Sequence, residues 1–358
     1  MTVVADPAAA KGAKPINLAL QGGGAHGAFT WGVLDRFLAD SRIAIEAISG
    51  TSAGAINAVV LADGLMRGGP EGARERLKLL WDEIGRAARL SPIQRGPLSV
   101  LSGDWSLDSS LGYLFFDAFT RSASPYDFNP LDINPLRDIV GRLVDFDLVR
   151  SCGAPKLFVS ATNVQTGRVR VFGCPELSLD AVMASACLPT LFKAVEVDGQ
   201  YYWDGGYTGN PALFPFFYAS RSNDILIVQI NPLERKEVPR TAHEIMNRIN
   251  EISFNASLLS ELRSVDFVRR MLDEGRLDPE RYRRLNIHII GEQQAAAAYG
   301  ASSKFNIERA FLQHLFEIGQ KAAADWLELN FDAIGERSTV DIRRMFAGDG
   351  YDEAAGVV

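Results

Sequence analysis

Twice near its start this chain passes from a short apolar run, through a glycine cluster, into a helical pattern, all within about fifty residues. Residues 16–20 form the first run, bounded by Pro15 and by Gln21-Gly22-Gly23-Gly24. Ala28, Trp31, Leu34, Phe37 and Leu38 then recur near helical spacing. Residues 43–48 form the second run, and Gly50-Thr51-Ser52-Ala53-Gly54 leads into a helix starting near Ala53. Strand–helix alternation at this spacing predicts an α/β fold with a mostly parallel sheet. Further strands are expected at 156–163, 168–172, 224–230 and 285–290, with a hairpin over 193–203 turning at Asp198-Gly199. Helices are expected over 241–272, where Ile245, Ile249, Ile252, Leu259 and Leu262 keep helical period, and over 305–331. Neither a repeat nor a linker divides the chain. The expectation is one domain over 16–346, between a disordered segment 1–15 and a flexible tail 347–358.

Composition narrows the function classes. The chain has 358 residues, of which 47% are hydrophobic and 23% charged, ordinary values for a globular protein with a large core. Its net charge of −7 gives no general attraction for nucleic acid or for an anionic membrane. The densest basic stretch, 261–284, interleaves its Arg with Asp and Glu and reads as a solvated helix face. Three separated cysteines, Cys152, Cys174 and Cys187, suit neither a disulfide framework nor a metal site, and are expected as buried thiols. The first fifteen residues lack the apolar stretch of a secretory signal, and no run approaches membrane-spanning length. These readings point to the cytoplasm.

The segment 96–130 is harder to place. It mixes Gly, Ser, Asp and Pro with Trp105, Tyr113, Phe115, Phe116, Phe119, Tyr126 and Phe128. Such a segment serves either as a lid over an apolar pocket or as a surface excursion pinned by its aromatics.

Chemistry concentrates at the two glycine turns. Gly50-Thr51-Ser52-Ala53-Gly54 is a G-x-S-x-G between a strand and a helix, the setting in which a serine projects from a sharp turn as a nucleophile. Ser52 would also lie at a helix N-terminus, where the dipole favours developing negative charge. Gln21-Gly22-Gly23-Gly24-Ala25-His26-Gly27 offers bare backbone amides, which suit either a dinucleotide pyrophosphate or an oxyanion. The second strand runs straight into the serine turn, so the two glycine turns should lie side by side at one sheet edge. That favours an oxyanion hole beside a nucleophile.

A serine nucleophile needs a base, and there are four histidines: His26, His243, His288 and His314. The order Ser52, Asp204, His243 nominally meets an α/β-hydrolase triad, but only two candidate strands precede Ser52. Asp204 is the better candidate, at a strand end before Gly205-Gly206. With an ordinary carboxyl pKa of ~3.9 it would be ionised but weakly basic.

Together, Gly22-Gly23-Gly24-Ala25-His26-Gly27, Gly50-Thr51-Ser52-Ala53-Gly54 and Asp204-Gly205-Gly206 resemble the patatin-like phospholipase family. Ala184-Ser185-Ala186-Cys187-Leu188-Pro189 looks like the family's segment before its aspartate, and the resemblance covers roughly 16–220. It implies a three-layer α/β/α fold and a lipid acyl hydrolase with a Ser52–Asp204 dyad. It also implies an oxyanion hole from the amides of Gly22, Gly23 and Gly24, and no metal or organic cofactor. The substrate would be a lipid ester, cleaved through an acyl-enzyme; a Ser-Asp-His esterase and a non-catalytic lipid-binding protein are the alternatives. Many members carry Asp where Gln21 stands and Arg or Lys where His26 stands, so the motif here supplies no fixed cation and a neutral ester gains plausibility. With a net charge of −7, contact with a lipid surface would depend on local apolar area, and 96–130 is the place to expect it.

Overall fold

The computed structural model describes residues 12–348, apart from 89–90, 92, 152, 154, 236 and 292–298. Eight strands form one sheet: β1 (Lys14–Leu20), β2 (Ile43–Gly50), β3 (Lys156–Asn163), β4 (Val169–Gly173), β5 (Val195–Val197), β6 (Gln200–Asp204), β7 (Asp224–Gln229) and β8 (Asn286–Gly291). Their order is β5-β6-β3-β2-β1-β7-β8, with β4 on β3. The centre, β3-β2-β1-β7-β8, is parallel, while β4 and β6 run antiparallel to β3 and β5 antiparallel to β6. β1 begins at Lys14, so Lys14 and Pro15 belong to the sheet rather than to the disordered segment expected at 1–15. Pro15 fits in a central strand because β7 pairs with β1 only from Asn17 onward, beyond the missing N–H.

The helices are α1 (Gly27–Leu38), α2 (Ala53–Ala87), α3 (Pro97–Ser102), α4 (Leu111–Ser122), α5 (Pro125–Phe128), α6 (Pro135–Leu143), α7 (Phe146–Arg150), α8 (Leu179–Ser185), α9 (Phe214–Ala219), α10 (Ala242–Asp273), α11 (Arg309–Asn330) and α12 (Ile342–Ala347). Side chains of a strand alternate between faces, and here the alternation divides the core in two. Ile16, Leu18, Leu20, Leu226 and Val228 face a core shared with α1, α2 and α11. Ala19, Ile225, Ile227 and Ile287 face the other, with Phe216, Leu258, Leu262 and Ile342 from α9, α10 and α12. The result is three layers, helices over both faces of a mostly parallel sheet.

Residues 96–130, expected to be irregular, are mostly short helices. Ser110 and Ser124 accept N–H bonds at the starts of α4 and α5, and prolines open α3 and α5. The apolar stripe of α10 also divides: Leu258 and Leu262 are buried, while Ile245, Ile249 and Ile252 are exposed. Thr241 and Glu244 form the capping box that starts this helix. Cys187 is buried as expected, Cys174 is only half-buried, and Cys152 lies outside the described residues.

Candidate active site

Leu20 at the end of β1 pairs with Gly50 at the end of β2, so the two glycine turns emerge side by side. Between β2 and α2, Ser52 adopts φ 52° and ψ −120°. A non-glycine residue there carries about 1–3 kcal/mol of strain and persists only when its surroundings hold it. They do so from both sides: the Ser52 N–H donates to Ser185 Oγ at 2.9 Å, and the Thr51 hydroxyl to the Gly209 carbonyl at 2.6 Å. Gly54 lets α2 close on β1, since a Cβ there would stand 2.2 Å from the Leu20 carbonyl oxygen. The serine therefore heads α2, whose helical backbone runs to a kink at Gly68-Gly69, at the carboxyl edge of the sheet.

The first glycine turn lies against it. A Cβ on Gly22 would fall 2.7 Å from that of Ser52. The Gly22 N–H, however, donates to Asn210 Oδ1 at 2.7 Å. This corrects the expectation that Gly22, Gly23 and Gly24 all present amides: the Gly22 donor is already engaged. The N–H groups of Gly23 and Gly24 have no partner among the described residues, nor has that of Ala53 at the start of α2. Ala53 was missed in the sequence, although the first amides of any helix lack an internal acceptor.

Asp204 ends β6 opposite Ala161 of β3. Its N–H donates to the Cys187 carbonyl and its own carbonyl accepts from the Thr162 hydroxyl, each at 2.8 Å. The carboxyl group is fully enclosed. Burial pushes its pKa up to about 7, while the Gly206 N–H at 2.7 Å, the Ser52 hydroxyl and the charge of Lys304 pull it down. The aspartate read from sequence as a weak base is thus tuned by its surroundings to the range where general bases work at neutral pH.

The histidines fall elsewhere. His288 is buried in β8 between Asp224 and Thr339, and His314 on α11 meets the Tyr299 hydroxyl at 2.8 Å. His26 packs in the glycine turn with Nε2 2.7 Å from Ser303 Oγ, and burial, with Lys304 and Arg235 nearby, lowers its pKa to about 3. It is neutral at any physiological pH. His243 lies in the first turn of α10, whereas the part of that helix packed on the Asp204 turn is Phe254, about 16 Å further along the axis.

Four polar residues at the site escaped the sequence reading: Ser185, Asn210, Asn231 and Lys304. Ser185 stands within the quoted segment 184–189 and Asn210 four residues beyond Gly206, but only the folded chain reveals their partners. Asn231 and Lys304 carry no local motif at all. Among the described residues no group of three acidic, His or Cys side chains is placed to hold a metal ion.

Known proteins can be set beside this geometry. The sequence model of the family described as patatin-like phospholipase matches residues 18–219, which contain both glycine turns, Ser52 and Asp204. No curated protein matches the chain. Among solved structures, VipD from Legionella pneumophila is similar with 15% identity and a TM-score of 0.32, over 86% of this chain and 67% of that one. With more than half of its length matched, the chain belongs to the patatin-like phospholipase family of lipid acyl hydrolases.

Proposed function

We propose that this enzyme cleaves acyl esters of lipids through a Ser52–Asp204 dyad. Asp204 takes the proton of Ser52, whose oxygen attacks the ester carbonyl. The alcohol leaves with a proton returned from Asp204, and water activated by the same carboxylate releases the fatty acid from the acyl-enzyme. The oxyanion of each tetrahedral intermediate is received by the amides of Gly23 and Gly24, with that of Ala53 as a third donor. One such donor contributes about 2.7–4 kcal/mol to the transition state. The observation that carries this reading is the strained Ser52 facing a buried carboxylate whose pKa is about 7.

The lipid would be met at a surface. No helix of the described residues is long and apolar enough to cross a membrane. Around the site, however, α3 and α4 expose Leu101, Leu111 and Phe115, the last two at 84% and 74%. Helix α4 docks on the turn that carries Lys304, with Tyr113 and Phe116 packed on Phe305, and the Tyr126 hydroxyl of α5 accepts the Ala194 N–H at 3.3 Å. Exposed Ile249 and Ile252 of α10 add apolar area. Contact of this kind suits a cytoplasmic enzyme acting peripherally at a membrane or droplet, without help from its net charge.

The deciding experiment is labelling with a fluorophosphonate probe and hydrolysis of a short-chain nitrophenyl ester. Ser52 should label, and Ser52→Ala and Asp204→Asn should each lose nearly all turnover. Full activity in either variant would sink the dyad.

A further inference from the structure

The glycine motif brings no cation of its own, since His26 is neutral, yet a cation is present. Lys304 comes from the turn Ala301–Phe305, far beyond the family segment 18–219. Its backbone lies on the glycine loop: the Lys304 carbonyl oxygen stands 2.5 Å from where a Cβ on Gly24 would begin. Its ammonium donates to Asn231 Oδ1 at 2.7 Å, and the same Asn231 donates from Nδ2 to the Gly22 carbonyl at 2.7 Å and to Gln21 Oε1 at 3.1 Å.

The Gly22 carbonyl and the Gly23 N–H belong to one peptide unit. In a trans peptide these groups point in opposite directions. Holding the carbonyl toward Asn231 therefore turns the Gly23 N–H the other way, and the bond from the Gly22 N–H to Asn210 Oδ1 fixes the preceding unit. A charge-assisted bond into Asn231 also polarises its amide, and through it the peptide that presents the Gly23 donor.

We infer that Lys304 is a positioning residue for ester hydrolysis, holding the oxyanion loop through Asn231 and supplying the cation that its own motif lacks. The inference rests on the hydrolase reading above. Lys304 is not simply one half of an ion pair. Glu251 of α10, which faces it, is bonded to Arg235 at 2.6 Å and to Arg248 at 3.2 Å. The other charged or titratable groups around it are Arg235 itself, Asp204 and the neutral His26, and the ring of Phe254 lies 5.8 Å from the ammonium. Burial lowers the Lys304 pKa to about 8, with Arg235 acting the same way and Glu251 and Asp204 opposing. The charge is therefore lost within a measurable range.

The test combines turnover of the nitrophenyl ester with the rate of fluorophosphonate labelling at Ser52, both from pH 5 to 10. In the wild type both should fall on the alkaline side with a midpoint near pH 8. Lys304→Met should lower kcat about 10- to 100-fold with KM within about threefold, and should lack that alkaline fall. Lys304→Arg keeps the charge, so it should retain more turnover than the Met variant and move the fall to higher pH. Wild-type kcat in the Met variant, or an alkaline fall that persists in it, overturns the role of Lys304 while labelling still upholds the hydrolase. A wild type with no alkaline fall up to pH 10 overturns it without any variant. A wild type that does not label at Ser52 overturns the hydrolase reading and this one with it.

Discussion

Asp204 accepts the Gly206 N–H at 2.7 Å from within its own turn, and that bond does not offset the loss of water around the carboxyl group. The carboxylate form of Asp204, the base of the proposed dyad, therefore appears only as pH rises through about 7. The value of kcat/KM for a soluble nitrophenyl ester should climb with a midpoint near pH 7. A climb centred near pH 4 would mean a solvated, ordinary carboxylate.

The same burial makes Asp204 a cost to stability. Its folded pKa lies above the unfolded value, so between about pH 4 and 7 the folded chain holds a proton the unfolded chain has released. Stability contributed by this group falls across that window and is lowest above pH 7. Asp204→Asn, which can still accept the Gly206 N–H, should raise Tm at pH 8, by the equivalent of about 2–4 kcal/mol, and hardly at all at pH 4. Thermal melts at the two pH values measure the difference. An equal gain at both would contradict the account.

Ser185 supports the strained serine through the 2.9 Å bond from the Ser52 N–H. Ser185→Ala leaves that amide without its acceptor, at a cost of about 1–3 kcal/mol. Fluorophosphonate labelling of Ser52 should slow about tenfold in this variant, with the protein still folded by circular dichroism.

His26 stays neutral, held at about 3 by burial and by the charges of Lys304 and Arg235. His26→Gln should therefore leave the shape of the pH–rate profile between pH 5 and 8 unchanged. Loss of an inflection in that range would show that the imidazole does titrate.

The exposed Leu111 and Phe115 lie one turn apart on α4. Replacing both with Asp should reduce sedimentation with neutral phosphatidylcholine liposomes about tenfold or more, by removing burial of two large apolar side chains. Hydrolysis of the short ester should change less than twofold. Wild-type liposome binding should vary little with salt, because the net charge of −7 offers no electrostatic attraction.

Much of the fold was legible because periodicity is a local property. The strand at 156–163 and the hairpin at Asp198-Gly199 appear where apolar alternation and turn chemistry put them. Helix α10 likewise begins after Thr241, the residue that caps it. The errors share one cause. Residues 96–130 looked irregular because α3 and α5 are too short for periodicity to register and the Gly, Ser, Asp and Pro around α4 mask its pattern, and the exposed Ile245, Ile249 and Ile252 have a helical period that carries no label for its partner. The candidate nucleophile and carboxylate were visible because each sits in a turn whose glycines lie within two residues of it along the chain.

By itself, then, the sequence determined the strands, the helices α1, α2, α10 and α11, the two glycine turns and the residue types they carry, all consequences of neighbours along the backbone. Tertiary structure decided the rest. Only burial between strands and α10 could raise Asp204 to about 7, and only the folded chain brings Asn210 to the Gly22 amide. Lys304 reaches the loop from a distant turn for the same reason: desolvation and through-space charge depend on what surrounds a group, and a chain's surroundings exist only once it has folded.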